Sequence, residues 1–258
     1  MFTTDLGGKV ALVAGAAGGI GKAIAMKLGQ CGADVVAADL NLEGATNVAS
    51  EIESMGRRAK ALKCDLWDYN SVKEMADTAA ADLGKIDICI ASGGTSAKHG
   101  KFFHELDPLT DYAECMKIQQ YPRLFVVRAV LDHMIQHNYG KIVMITTDAG
   151  RVPTPRESLI GSAAAGLVLA TKVMAKEFLR WNIRINLLCM TLVADTPALQ
   201  DVMSSPARHV FEKVYDRVPW GIPTAEDIAE SALFFSSPET DRITGQILSI
   251  NSGLSFPG

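Results

Sequence analysis

Short apolar segments alternate with longer amphipathic segments along almost the whole chain. Each short segment is rich in β-branched residues or alanine and is bounded by Gly, Asp or Asn, which is typical of buried strands. Seven such strands are predicted, at Val10–Ala14, Asp34–Asp39, Ala59–Lys63, Ile86–Ala91, Lys141–Thr146, Arg184–Leu188 and Ile247–Ile250. Strands joined by helices form a parallel sheet with right-handed crossovers. The pattern predicts one doubly wound α/β domain over residues 1–258, with helices on both faces of a seven-stranded parallel sheet.

Helical periodicity accounts for much of the chain between these strands. The main predicted helices are Ile20–Gly29, Val72–Leu83, Tyr112–His137, Leu159–Trp181 and Ala225–Phe235. Asn70 and Ser71 are candidate caps for the second, and Thr224 with Asp227 forms a candidate capping box for the last. The proline-rich stretch Met190–Pro223 predicts an irregular helical insertion near the carboxyl ends of the strands. Ligands bind at that edge in sheets of this kind.

The charge balance argues against a nucleic-acid partner. The chain has 25 Lys and Arg against 29 Asp and Glu, a formal net charge of −4. Proteins that bind phosphate backbones need clustered basic residues, so no nucleic-acid partner is expected. The N-terminus has no basic segment followed by an apolar run, and no stretch approaches about 18 apolar residues. We therefore expect no signal peptide, no membrane partner and a cytoplasmic location.

The five cysteines are odd in number and widely spaced. They are Cys31, Cys64, Cys89, Cys115 and Cys189, and no two of them form a CxxC pair. This distribution favours buried free thiols in a reducing compartment over disulfides or a zinc site. The sequence predicts no metal site.

A glycine-rich turn directly follows the first strand. It contains Gly15, Gly19, Ile20 and Gly21 and leads into a helix. Glycines let the backbone approach a pyrophosphate, and the helix N-terminus offers free N–H groups to it. Asp39 ends the second strand, 18 residues beyond Gly21, where a carboxylate accepts hydrogen bonds from a ribose and repels a 2′-phosphate. The pattern favours NAD(H), and the alternative is that the glycines only allow close packing of helix and strand.

With this turn the chain resembles the short-chain dehydrogenase/reductase family over essentially its whole length. The family pattern TGxxxGxG is matched at 14–21, with Ala14 in place of Thr. Asp65 matches the family's adenine-contacting Asp, and Gly93 lies in an altered form of its Asn-Asn-Ala-Gly motif. The C-terminal segment 244–253 is similar to the family's last strand, with an altered Asp-Gly-Gly. The resemblance implies a Rossmann-like fold and a nicotinamide dinucleotide.

The same resemblance exposes missing catalytic groups. In the family a Tyr transfers the hydroxyl proton, a Lys four residues later lowers its pKa, a Ser polarises the substrate oxygen and an Asn supports a water relay. With Thr147 in the Ser position, the Tyr, Lys and Asn positions are Ile160, Ala164 and Gln119. Ile160 and Ala164 have no titratable proton, and the sole Tyr-xxx-Lys, starting at Tyr69, belongs to another part of the fold. Removal of one general acid–base group typically costs about 10²–10⁴ in rate, so ordinary alcohol dehydrogenation is expected to be lost.

The resemblance therefore implies a pseudoenzyme that supports an active paralogue in a hetero-oligomer. The chain is similar in this respect to the non-catalytic subunits of heteromeric hydroxyacyl-CoA dehydrogenases of anaerobic aromatic degradation. Family members associate through two long helices, and a broad apolar helix face indicates an association surface. The candidate residues are Leu124, Phe125, Val127, Val130, Leu131, Leu167, Leu169, Val173 and Phe178. NAD(H) is expected to bind weakly at best, because the ribose-holding Lys is absent.

Two alternatives remain open from the sequence. One is an NAD-dependent enzyme with an atypical active site built on Thr147 and nearby loop residues. The candidate loop residues are Asp148, Arg151, Arg156, Glu157, His99 and His104. The other is a binding module that senses a nucleotide.

Overall fold

Seven parallel strands form one sheet in the computed structural model, which describes residues 4–94, 99–204, 208–215 and 217–257. The strands are β1 (Val10–Ala14), β2 (Asp34–Asp39), β3 (Ala59–Lys63), β4 (Ile88–Ala91), β5 (Gly140–Thr147), β6 (Ile183–Met190) and β7 (Ile247–Ser249). Their order is β3-β2-β1-β4-β5-β6-β7, so the direction of winding reverses between β1 and β4. The predicted doubly wound α/β fold is confirmed.

Helices cover both faces of this sheet. They are α1 (Gly19–Gln30), α2 (Leu42–Ser54), α3 (Tyr69–Leu83), α4 (Asp111–Gln119), α5 (Tyr121–His137), α6 (Ser158–Phe178), α7 (Pro197–Met203), α8 (Arg208–Tyr215) and α9 (Ala225–Ser236). One core layer packs α3, α5 and α6 on the sheet, and the other packs α1, α2 and α9. The segment between β6 and α9 contains only the short helices α7 and α8 in its described part, in agreement with the predicted irregular insertion.

The predicted strand bounds agree with the structure to within two residues at each end. The first three strands match, whereas β4 begins at Ile88 instead of Ile86. Asp87 precedes it, and the Asp87 carboxylate accepts a hydrogen bond of 2.9 Å from the backbone N–H of Val10. This side chain therefore ties the beginning of β4 to β1.

The single helix predicted over Tyr112–His137 is wrong, because α4 ends at Gln119 and α5 begins at Tyr121. Pro122 explains the break, since proline has no N–H to donate to the carbonyl of Ile118. That carbonyl is within hydrogen-bonding distance, 3.4 Å, of Nη1 of Arg123. Proline is well accommodated in the first turn of a new helix, which is its position in α5.

The predicted helix cap is confirmed at α9, whereas the predicted caps at α3 are wrong. The Thr224–Asp227 capping box is present at α9. At α3 the predicted caps Asn70 and Ser71 are wrong, because the helix begins at Tyr69 and Asp68 is the cap. The Asp68 carboxylate accepts a hydrogen bond of 2.9 Å from the N–H of Asn70.

The predicted association face is smaller than the sequence suggested. Val127, Val130, Leu167 and Phe178 are buried against the sheet, so they are core residues. Leu124, Phe125 and Leu131 are partly buried against the same core. Leu169 and Val173 are exposed on α6, and Leu179, just after this helix, is exposed as well.

Residues 158–181 form a helical stretch that is long and apolar enough to span a membrane by length and composition. This stretch packs on β5, β6 and α4 in the structure, as a core helix does. Cys31 is half-buried and the other four cysteines are buried, and all five are free thiols.

Candidate functional site

Glycines build the turn between β1 and α1 at positions where a side chain does not fit. Gly15 and Gly19 have φ angles of +82° and +51°, in the left-handed region that glycine enters without strain. A Cβ on Gly21 would overlap the carbonyl oxygen of Gly15. Ile20 is half-buried beside these glycines. The first turn of α1 carries no acidic residue, so the partial positive charge of the helix N-terminus is not neutralised there.

The end of β4 lies against this turn and completes a crevice. The N–H of Gly93 donates to the carbonyl of Ala14 at 3.2 Å, and a Cβ on Gly15 would lie 2.5 Å from the Cα of Gly93. The strand order reverses between β1 and β4, and such a reversal is where doubly wound sheets bind ligands. The glycine turn therefore borders the expected ligand crevice.

Two acidic residues lie near this turn. The Asp39 carboxylate accepts hydrogen bonds from the N–H groups of Ala17, at 3.0 Å, and Asn41, at 2.9 Å. Each oxygen uses one lone pair in this way, so each retains capacity to accept a ribose hydroxyl. Asp65 follows β3, and its carboxylate accepts from the N–H of Trp67 at 2.9 Å. Both residues fit the binding of an adenosine moiety.

The residues predicted at the catalytic Ser and Tyr positions, Thr147 and Ile160, carry a hydroxyl and an aliphatic side chain. Thr147 ends β5, and its Oγ1 accepts a hydrogen bond of 3.2 Å from the N–H of Ala149. Ile160, on α6, is 7% exposed and forms a small apolar cluster with Leu159, Cys115 and Leu106. A hydrocarbon packed among hydrocarbons has no means of moving a proton.

The residue predicted at the catalytic Lys position, Ala164, is equally apolar. Ala164 is buried, and its methyl group would lie 2.8 Å from a Cβ built on Gly150. The helix therefore packs directly on the turn that follows β5. Gln119, in the Asn position, is buried at the end of α4, and its backbone carbonyl accepts from Arg123 at 3.2 Å.

Comparison with known proteins identifies the family. A family model described as enoyl-(acyl carrier protein) reductase matches residues 15–255. The 7α-hydroxysteroid dehydrogenase of Escherichia coli K12 is 30% identical over 259 residues, with 98% of each chain covered. The chain belongs to the short-chain dehydrogenase/reductase family. D-threitol dehydrogenase of Mycolicibacterium smegmatis is a further relative, 31% identical over 98% of this chain and 95% of that protein.

Solved structures of this family superpose closely on the chain. A 7α-hydroxysteroid dehydrogenase in complex with NADH and 7-oxo glycochenodeoxycholic acid gives a TM-score of 0.88 at 30% identity, with 98% of each chain covered. An Escherichia coli hydroxysteroid dehydrogenase gives 0.83 at 29% identity, covering 96% of this chain and 97% of that one.

The loop acid Asp148 belongs to a buried network that faces the C-terminal segment. Its carboxylate accepts hydrogen bonds from the hydroxyl of Ser249 and, at 2.9 Å, from the amide of Asn251. Arg151 lies 3.7 Å from the same carboxylate and also donates to Ser249. These contacts tie the turn after β5 to β7. Asp148 and Arg151 therefore have structural partners, which favours a role for them in the fold over a role in proton transfer.

Arg156 joins the segment 100–102 to the start of α6. It has a φ of +73°, donates to the carbonyl of Gly100 at 3.1 Å, and stacks its guanidinium on Phe102 at 4.6 Å from the ring centroid. His104 is exposed and stacks on Phe102. These contacts place residues 100–102 beside the start of α6.

Glu157 stands out among the candidate loop residues by its ionisation. It precedes α6, three residues before Ile160, and burial raises the pKa of its carboxyl group to about 7. A carboxyl group with such a pKa is able to exchange a proton near neutral pH. His99 is fully buried and lies near Asp111 and Glu114 on α4.

Sequence reasoning missed Arg123, a buried cation whose guanidinium contacts the segments next to this site. Its guanidinium donates to the carbonyl of Ile145 on β5 at 3.1 Å and to that of Gly94 at 3.2 Å. It also reaches the carbonyls of Ile118 and Gln119 where α4 ends. Burial lowers its pKa to about 10, so it remains charged at neutral pH. The sequence feature that could have pointed to Arg123 is Pro122, because a proline leaves backbone carbonyls without helical N–H donors.

Proposed function

We propose that this chain is a catalytically inactive subunit that supports an active family member in a heteromeric NAD-dependent hydroxyacyl-CoA or alcohol dehydrogenase. The observation that carries the proposal is the apolar packing of Ile160 and Ala164, both buried where the family uses Tyr and Lys. Loss of one general acid–base group costs about 10²–10⁴ in rate, and here the base and its activator are both absent.

The exposed face of α6 supports association with another chain. Leu169 is 64% exposed and Val173 is 47% exposed, one helical turn apart. Exposed Ala165 and Gly166 lie one turn before Leu169, so a partner helix can approach the backbone closely there. An apolar stripe of this kind, left uncovered by the sheet, is typical of an interface.

The test of this proposal is coexpression with a paralogue that contains Tyr-xxx-Lys. We expect a stable stoichiometric complex that oxidises substrate with NAD, whereas the isolated chain does not turn over. The double variant Leu169→Asp and Val173→Asp removes the apolar stripe and should abolish the complex. Met55→Asp, at an exposed apolar residue just after α2, should leave it intact. Turnover by the isolated chain would overturn the proposal, as would failure to bind any such paralogue.

The substrate class rests on the resemblance to non-catalytic subunits of aromatic degradation, for instance of a dehydrogenase acting on 2-(hydroxy(phenyl)methyl)succinyl-CoA. Comparison of a hydroxyacyl-CoA with the corresponding free alcohol as substrate of the complex tests it. A preference for the free alcohol would be consistent with the proposed heteromer but would contradict the proposal that its substrate is a CoA ester.

The glycine turn supports residual NAD(H) binding through the adenosine diphosphate half. Gly18 is the informative position, since a Cβ there would have no described protein atom within 4 Å beyond its chain neighbours, and its φ of −169° suits any residue. Gly18 is the N-cap of α1, where glycine is preferred to alanine, and close approach of a pyrophosphate is a second physical reason for glycine there.

The variant Gly18→Ala isolates this effect from packing. Because Gly18 is the N-cap of α1, we expect the variant to lose no more than about 1 kcal/mol of stability and to bind NADH more weakly, as measured by fluorescence titration. Gly15→Ala, which clashes with Gly93, should lower stability as well as binding. If wild type and Gly18→Ala bind NADH with equal affinity, the glycines of the turn serve the packing of the fold and not the binding of the nucleotide.

Glu157 is the observation that favours the alternative of an atypical active site. Its carboxyl group has a pKa of about 7 and lies one helical turn before Ile160. If the isolated chain oxidises any alcohol, Glu157→Gln and Thr147→Val should each abolish that activity. Unchanged rates in both variants would argue against this site.

A further inference from the structure

His99 is buried in an unusual electrostatic setting. It is 0% exposed, and neither of its ring nitrogens has a hydrogen-bond partner among the described residues. Its Nε2 lies 3.5 Å from Oε2 of Glu114 and 4.0 Å from Oδ1 of Asp111. Buried polar groups are normally hydrogen-bonded, so a buried imidazole without a partner requires an explanation.

The separations within this group exceed hydrogen-bond lengths and resemble those between ligands of one metal ion. Hydrogen bonds between such groups are about 2.7–3.2 Å long. Two ligands held about 2.0–2.1 Å from a tetrahedral ion are about 3.3 Å apart. The ligand atoms of His99, Asp111 and Glu114 all lie within 4.8 Å of one another, so small side-chain movements bring them to one ion.

The surroundings hold Asp111 in the orientation that a ligand needs. Its Oδ2 accepts hydrogen bonds of 2.9 Å from Nζ of Lys101 and from the N–H of Asp107. Its Oδ1 is the oxygen that faces His99. Partners of this kind orient the carboxylates of metal sites. The side chain of Glu114 is 39% exposed, which provides a route for an ion from solvent.

We propose that His99, Asp111 and Glu114 bind one divalent transition-metal ion of the zinc type. One imidazole nitrogen and two carboxylate oxygens form a donor set that zinc accepts, and three protein ligands leave a position open for water. The ion joins His99 to α4. Cys115 follows Glu114 and belongs to the same buried cluster as Ile160 of α6, so the proposed metal site adjoins that cluster.

The test uses zinc alone as the probe, on the full chain freed of any affinity tag and of metal. Equilibrium dialysis and calorimetry should show one tightly bound zinc ion per chain, with a rise in melting temperature. His99→Gln and Glu114→Gln should each weaken binding by about 10-fold or more. His104→Gln, at an exposed histidine in the same loop, should bind as the wild type does.

Glu114→Gln, with its partly exposed side chain, keeps the test informative if His99→Gln does not fold. The proposal is overturned if wild type retains no zinc at micromolar free metal. It is equally overturned if the affinity for zinc is the same in wild type and Glu114→Gln, because the ion is then bound elsewhere.

Discussion

Glu157 makes the stability of this protein depend on pH in a direction opposite to that of an ordinary carboxylate. Burial raises the pKa of its carboxyl group from the usual 4.5 to about 7. Its place before α6 acts the other way, because a helix N-terminus stabilises an anion by about 0.3–1 kcal/mol. Burial prevails, so the folded protein holds a proton that the unfolded chain releases between about pH 4.5 and 7.

The sign and size of the effect follow from this difference. A group with a raised pKa in the folded state favours folding at low pH, and this contribution is lost as the pH rises through 7. A pKa of about 7 for Glu157 corresponds to at most about 3 kcal/mol of unfolding free energy at alkaline pH. The side chain is only half-buried, so we expect about 1–2 kcal/mol after solvent screening.

The variant Glu157→Gln removes the titration and keeps the shape of the side chain. We expect wild type and variant to have equal unfolding free energies at pH 4.5, and the variant to be more stable by about 1–2 kcal/mol at pH 8. Urea unfolding followed by the fluorescence of the three tryptophans measures both. Glu53→Gln, at an exposed glutamate on α2, controls for the loss of one charge. A difference between wild type and Glu157→Gln that does not change with pH would refute the reasoning.

Two further variants test the buried polar groups, and Thr147→Val serves as a comparison. Arg123→Met deprives four backbone carbonyls of a donor and should lower the unfolding free energy by about 2–4 kcal/mol. Urea unfolding measures this loss, and an unchanged urea midpoint would contradict the hydrogen bonds described for Arg123. Asp148→Asn should lower the unfolding free energy by about 1–3 kcal/mol, because the Asp148 carboxylate accepts hydrogen bonds from Ser249 and Asn251. Thr147→Val should lower it by less than about 1 kcal/mol. Equal losses of unfolding free energy in these two variants, measured by urea unfolding, would show that the Asp148 network adds little stability.

The strands were predictable from sequence because most of them are buried on both faces and read as continuous apolar runs. Helix α2 was missed, since its buried positions Ala45, Val48, Ala49 and Ile52 are half alanine and give a weak periodic signal. The break between α4 and α5 had a local signal in Pro122, which the apolar periodicity on both sides outweighed. Local backbone chemistry was decisive at that point, although the hydrophobic pattern suggested one helix.

The candidate site was predictable only where its parts are close together in the chain. The glycine turn occupies seven consecutive residues, 15–21, and Ile160 and Ala164 are separated by one turn of α6. Arg123 joins β4, β5 and α4, and His99 meets α4 only through tertiary folding. Contacts between segments that are distant in the chain do not produce a short sequence motif. A search of the sequence for metal-ligand spacing therefore could not find the histidine and two carboxylates.

The two halves of the crevice depend on different parts of the chain, and this explains how one can change while the other persists. Gly15, Gly21 and Gly93 are required by backbone contacts within the fold, so their presence alone does not demonstrate nucleotide binding. Ile160 and Ala164 are buried apolar residues, so their side chains contribute to hydrophobic burial whether or not the chain has an active site. Gly18 is the exception in the turn, because no described protein atom requires it to lack a side chain. The NADH affinity of Gly18→Ala therefore tests nucleotide binding independently of catalysis, and it distinguishes a retained binding site from a retained fold.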